Sequence, residues 1–166
     1  MKYIPIWLLL AFAGMQSVMA AENMSFHGLL LDTVPCDING GSSLSVEFGE
    51  VGINRIDGTR YMQKMSFPVN CPGGFDMPFK MVYQGEVSDF DPAALKASPD
   101  GLGIKLRRQC NGHEYCDVEV GGYIPVSMMD LESQLMNFQS VPVKRQGAEL
   151  EAGLFSASAS FRLEYY

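Results

Sequence analysis

Hydrophobic and polar positions alternate along most of this chain, most strictly over residues 155–166. Phe155, Ala157, Ala159, Phe161, Leu163 and Tyr165 alternate with Ser156, Ser158, Ser160, Arg162, Glu164 and Tyr166. A period of two held this long predicts a strand with one buried and one wet face. The buried face carries small alanines at its middle and large side chains at its ends. Such a strand needs a neighbour, and an apolar edge left uncovered is a liability. Here the edge reads as one that is used.

The same alternation recurs upstream. Leu44, Val46 and Phe48 share a parity, as do Phe79, Met81 and Tyr83 before Gly85. Further strands are predicted over 61–71, 102–106, 118–128 and 136–143, with Pro68 at an edge or bulge. Turn chemistry separates them: Asp37-Ile-Asn-Gly-Gly-Ser-Ser, Gly52 to Gly58, Pro72-Gly-Gly, Gly121-Gly122 and Arg145-Gln-Gly147. Residues 87–101 are polar and hold Pro92 and Pro99, which predicts a loop with one helical turn at Ala93-Ala-Leu-Lys-Ala. About seven short strands between turns predict an all-β, immunoglobulin-like β-sandwich. There is no repeat, linker or low-complexity block, so residues 36–166 read as one domain. Residues 21–35 are strand-like too. Met24, Phe26, Gly28, Leu30 and Asp32 share one parity, and Pro35 breaks the run before Cys36. Periodicity alone leaves two readings open: a first strand of the sandwich, or an arm that pairs outside its own domain.

The N-terminus changes the setting. Lys2, the apolar run Ile6 to Ala13 and the short side chains of Val18-Met-Ala20 form a secretory signal peptide over residues 1–20. The apolar run is too short to span a bilayer comfortably. Cleavage after Ala20 leaves a chain with 11 basic and 19 acidic residues, a net charge of −8. That balance argues against nucleic acid or an anionic membrane as partner. Export also makes disulfides the default state of Cys36, Cys71, Cys110 and Cys116. Of the three possible pairings, Cys36–Cys71 with Cys110–Cys116 is favoured. The first would staple the start of one strand to the end of the next, and the second would fix a short loop.

Candidate chemistry is sparse. The chain has two histidines, His27 and His113, and no nucleophile elbow, phosphate-cradling loop or His-rich metal motif. Cys110, His113, Glu114 and Cys116 have the makings of a metal site, but an exported loop with paired cysteines is better read as a disulfide. Asp89, Asp91 and Asp100 fit no calcium-loop spacing and read as solvated turn residues. Asn23-Met-Ser25 matches a glycosylation sequon. No catalytic residue, metal or cofactor is assigned, and the chain does not read as an enzyme.

These residues together resemble the pilin subunits of the chaperone–usher pathway, which builds P and type 1 fimbriae of Gram-negative bacteria. The resemblance covers the whole chain. It rests on Phe26-His-Gly-Leu-Leu-Leu-Asp-Thr-Val-Pro-Cys36, Val46-Glu-Phe-Gly49, Val69-Asn-Cys71, Gly101-Leu-Gly-Ile-Lys-Leu106 and Val141-Pro-Val143. It ends in Gly153-Leu-Phe-Ser-Ala-Ser-Ala159 with a penultimate Tyr165. Cys110 and Cys116 lie outside the family's usual single disulfide.

The resemblance implies an incomplete immunoglobulin-like sandwich of six strands, completed by a donor strand from outside. It implies that Gly153, Phe155, Ala157, Ala159, Phe161, Leu163 and Tyr165 line the groove and that Tyr166 offers its carboxylate to a periplasmic chaperone. Met24, Phe26, Gly28, Leu30 and Asp32 would be the donor positions of a 21–35 arm that fills a neighbouring subunit's groove at the outer-membrane usher. Gly28 would sit where a pocket admits no side chain, and Asp32 is polar where an apolar residue is expected. The implied partners are chaperone, usher and neighbouring pilins, with no nucleic acid and no membrane insertion. The implied location is a cell-surface fimbrium reached through the periplasm. The expected function is that of a minor or adaptor subunit supporting adhesion to host cells. The alternative is a pilus subunit with a lectin-like site of its own on the Cys110–Cys116 loop and Gly121-Gly-Tyr123.

Overall fold

Alternation becomes pairing in a computed structural model that describes residues 27–28, 36–71, 79–111, 114–126 and 135–165. The chain divides into two units, Met1–Asp32 and Thr33–Tyr166. In the first, residues 1–20, expected as a signal peptide, and Met24, Phe26, Leu30 and Asp32 lie outside the described residues, and Gly28 is exposed. Tyr166 also lies outside them.

Among the described residues the second unit holds nine strands: β1 Asp37–Ile38, β2 Gln63–Asn70, β3 Phe79–Gly85, β4 Ala94–Lys96, β5 Leu102–Asn111, β6 Glu114–Val118, β7 Tyr123–Pro125, β8 Leu135–Lys144 and β9 Ala159–Tyr165. One sheet runs β1-β2-β8-β5-β4, with β6 continuing the pairing of β5, and the other runs β7-β3-β9. All pairings are antiparallel. Alternate residues of both sheets fill the space between them. Phe67, Met136 and Phe138 enter from one sheet and Met81, Tyr83 and Ile124 from the other, all buried. Phe67 and Phe138 stack with ring centroids 5.6 Å apart. The fold class is therefore all-β, as the periodicity requires.

Three local expectations change. Ala93–Ala97 forms no helical turn. Ala94–Lys96 is a strand, paired to Gly103–Lys105. The six residues between Pro92 and Pro99 are too few to hold a helix on their own. Long-range bonds fix the extended form instead, Lys96 N–H to the Glu86 carbonyl at 2.7 Å and Ala97 N–H to the Leu102 carbonyl at 3.1 Å. The strand predicted over 118–128 divides at the predicted Gly121-Gly122 turn, where Gly121 at φ +83° separates β6 from β7. Leu44, Val46 and Phe48 form no ladder, and only Val46 and Phe48 are less exposed than their neighbours, Leu44 being exposed.

Both disulfides are present. Cys36–Cys71 clamps β1 against the end of β2, where Asp37 pairs with Asn70. Cys110–Cys116 is not a loop closure alone. It crosses the β5–β6 hairpin diagonally, at the irregularity between Gln109 and Asn111. The acidic turn residues find cations. Arg145 Nη2 holds Asp89 at 2.7 Å and Asp100 at 3.2 Å. Lys105 lies between Asp91 at 2.7 Å and Asp117 at 2.6 Å.

The loop leading into β2 is organised by Asp57. Its Oδ1 accepts the N–H groups of Thr59 at 2.9 Å and Arg60 at 2.8 Å, and the Thr59 hydroxyl at 2.8 Å. These donors favour the charged form and hold the carboxyl at about 2, below its ordinary 3.8. A depressed folded value means that the contribution is complete above the unfolded value and is lost as pH falls toward 2. Thermal melts of the parent and Asp57→Asn should therefore differ at neutral pH and converge by about pH 2. A difference unchanged across that range would show that the ionised carboxylate is not what stabilises the loop.

Candidate functional site

Strand β9 is built from the alternating C-terminal stretch. It pairs with β3 along its whole length, from Gly85 opposite Ala159 to Phe79 opposite Tyr165. Gly85 permits that approach. A Cβ there would stand 2.3 Å from a Leu95 methyl and 3.1 Å from the Ser158 carbonyl oxygen. Among the described residues, no strand pairs with the second edge of β9.

That edge is unlike the others. The edge strands β1, β4 and β7 are two or three residues long. β7 also carries Pro125, whose carbonyl accepts a hydrogen bond from Arg108. β6 presents exposed Glu114 and Asp117. Short length, proline and charge all blunt an edge. β9 offers seven residues with no proline, and its two charged side chains, Arg162 and Glu164, are paired with each other.

The inward face of β9 is only half covered. Phe161 lies against Phe67, Tyr83 and Phe138, at centroid distances of 5.1, 5.4 and 5.5 Å. Yet Phe161 and Leu163 remain partly exposed, and Ala157 and Ala159 are exposed despite their core parity. In a complete immunoglobulin-like sandwich one sheet has the order ABED and the other CFG. Here β1-β2-β8-β5 takes the ABED places, and β3 and β9 take those of C and F. The place of G, beside β9, has no strand among the described residues.

The opposite wall of this slot is Ser42–Phe48, which the sequence offered only as another strand. Its root is a left-handed turn: Asn39, Gly40 and Gly41 have φ of +53°, +59° and +73°. Two of these three positions are glycine, which accepts such angles without a Cβ clash. Asp37 Oδ1 accepts the Gly40 N–H at 2.8 Å, and the Ser42 carbonyl accepts from Asn39 Nδ2 at 3.0 Å. Beyond the turn the chain runs extended, separated from β2 by a cleft lined by Leu44–Glu47 and Gln63–Ser66. At the far end Phe48 meets Phe155, with centroids 5.8 Å apart. Of the remaining groove candidates, Gly153 is exposed, Phe155 is partly buried, and only the backbone of Tyr165 is described.

Electrostatics around β9 serve order rather than chemistry. Lys80 stands over the Tyr123 ring at 3.6 Å and reaches Glu164 at 3.7 Å, linking β3, β7 and β9. Burial pushes the Tyr83 hydroxyl well above its ordinary value, so it stays neutral in the core. No group of metal-ligating side chains occurs among the described residues.

An incomplete immunoglobulin-like sandwich with an open slot beside its last strand is the architecture of pilins, and the comparisons agree. The family model described as fimbrial protein matches residues 24–166. The fimbrial-like protein YfcQ of Escherichia coli K12 is 28% identical over 149 residues, covering 88% of each chain. YfcR of the same organism is 30% identical over 132 residues, covering 79% of this chain and 73% of its own. Among solved structures, the P pilus rod subunit PapA is similar with a TM-score of 0.63 at 20% identity, over 86% of this chain and 98% of its own. The P pilus adaptor subunit PapF gives 0.58 at 23% identity, over 81% and 98%. The chain belongs to the fimbrial protein family and is a fimbrial subunit. Such a subunit is exported to the cell surface. No helix among the described residues is long and apolar enough to cross a membrane.

Proposed function

We propose that this chain is a minor fimbrial subunit that polymerises by donor-strand exchange and supports adhesion from within the fibre. The observation that carries this reading is the seven-residue free edge of β9 above a half-covered apolar face. A strand laid into that slot gains a ladder of main-chain hydrogen bonds, and its alternate side chains cover Phe161 and Leu163. The exposed Ala157 and Ala159 leave room for large side chains of the incoming strand. An open apolar face would aggregate if left bare, so a periplasmic chaperone fills it first, with the Tyr166 carboxylate as a further contact. At the usher, the arm of another subunit replaces the chaperone. This chain's own 21–35 arm, with Met24, Phe26, Gly28, Leu30 and Asp32 as donor positions, fills a neighbour's slot in turn.

The arm and the slot are separable by experiment. Deleting residues 21–32 should leave a subunit that is still recovered with its chaperone but never occupies a neighbour's groove. Pull-down of the chaperone and analysis of assembled fibres measure the two activities. Fibres in which the truncated chain acts as donor would remove the arm from the reading.

A further inference from the structure

Seven of the fourteen described acids face a cation. Lys80, Lys96, Lys105, Arg145 and Arg162 each hold one or two carboxylates. Glu47, Glu50, Glu149 and Glu151 differ. All four are exposed, and no ion pair among the described residues involves them. Glu47 and Glu50 flank Phe48, and Glu149 and Glu151 lead into Phe155. The Phe48–Phe155 contact at 5.8 Å brings these two stretches together at one mouth of the slot. Lys64 lines the same cleft as Glu47, and Lys144 reaches the Ile53 carbonyl beyond Glu50 at 3.3 Å, two cations against the four carboxylates. The mouth therefore carries an excess of negative charge.

The direction of an incoming strand decides what meets that mouth. A strand taking the missing G place runs antiparallel to β9, as in a complete immunoglobulin-like sandwich. Its C-terminal end then lies beside Phe155, where β9 is entered. In this chain's arm that end carries Asp32, and residues 21–35 contain no lysine or arginine. Glu22 lies at the opposite end, beside the amino terminus that cleavage after Ala20 creates. We infer that the acidic mouth selects against the chain's own arm, so that the slot takes its strand from a different fimbrial subunit whose arm is neutral or basic at that end. This inference rests on the donor-strand reading above and adds the specificity of the slot. A second copy of this chain is the disfavoured occupant, which suits a subunit present singly in a fibre. Like charges across an interface discriminate between partners and slow the wrong encounter.

The test uses the full chain purified with its periplasmic chaperone and synthetic peptides of residues 21–35. Peptides with Asp32, Asp32→Asn and Asp32→Lys compete for the slot, and chaperone release is followed by native mass spectrometry. The Lys peptide should displace the chaperone about fivefold more effectively than the parent, roughly the scale of one favourable surface charge contact. The gain should shrink above about 0.5 M salt, where the screening length is a few ångströms. A chain carrying Glu47→Gln, Glu50→Gln and Glu151→Gln, all exposed positions, should accept the parent peptide better and lose the discrimination. Equal displacement by all three peptides would overturn the charge selection and leave the donor-strand reading standing. Failure of every peptide, including one with large apolar residues at all donor positions, would overturn both.

Discussion

Phe161→Glu will yield no soluble chaperone-bound subunit, while Ser160→Glu one residue away will be recovered at parental levels. Phe161 is in ring contact with Phe67, Tyr83 and Phe138, drawn from three different strands. It is thus the residue through which β9 joins the two sheets. A carboxylate there is packed among three aromatic rings, and an uncompensated charge in such a place costs several kcal/mol. That is a large share of the roughly 5–15 kcal/mol that holds an ordinary domain together. The same side chain is also the apolar floor on which an incoming strand must rest, so folding and strand capture fail together. Ser160 faces solvent and pairs only through its backbone with Gln84. Phe161→Leu separates the two effects. It keeps the floor apolar and should lower the unfolding free energy of the complex by about 1–2 kcal/mol while leaving the yield nearly intact. Normal recovery of the Glu variant would mean that the wall of the slot lies elsewhere.

How much of this was legible in the chain depends on how local the cause is. The faces of β9 could be read directly because a period of two is a property of neighbouring residues. So could the turn at Asn39-Gly40-Gly41, where the residue types declare the backbone. The pairing of Leu44–Phe48 could not. Its alternation is as clear as that of β3, but whether it joins a ladder depends on the cleft that separates it from Gln63–Ser66. Ala93–Ala97 misled for the same reason, since its extended form is set by bonds to Glu86 and Leu102 rather than by its own alanines. The spacing of Cys110 and Cys116 suggested a disulfide but concealed the hairpin that runs through it. For the site, sequence gave one wall and the structure supplied the other. The contact of Phe48 with Phe155 joins two stretches from opposite ends of the domain, and no local pattern marks them as neighbours. The acidic mouth was invisible for the same reason.

The two disulfides should prove unequal, and the difference bears on the slot. Cys36 and Cys71 are 35 residues apart in sequence, and Cys110 and Cys116 are 6 apart. In the chain-entropy model the longer closure is worth about 4 kcal/mol and the shorter about 2 kcal/mol. The shorter one is also redundant, because the ladder from Leu106–Val118 to Asn111–Glu114 already holds its two strands together. The longer one is not. β1 is two residues long, and without the bond it is held by its pairing to Val69 and Asn70, the Asp37–Asn70 side-chain contact and the packing of Ile38 on the core. The chain leaves β1 through the left-handed turn and becomes the Ser42–Phe48 wall. Loosening β1 therefore loosens that wall at its root. Cys36→Ala with Cys71→Ala should lower the unfolding free energy of the strand-complemented subunit by about 3–4 kcal/mol and weaken capture of a donor peptide. Cys110→Ala with Cys116→Ala should cost less than about 2 kcal/mol and leave capture unchanged. Urea unfolding of both double variants, with peptide affinity measured under native conditions, separates these outcomes. Equal losses in stability would show that loop length does not govern the difference. A Cys36 and Cys71 variant that binds its donor as tightly as the parent would show that the wall holds its place without the clamp.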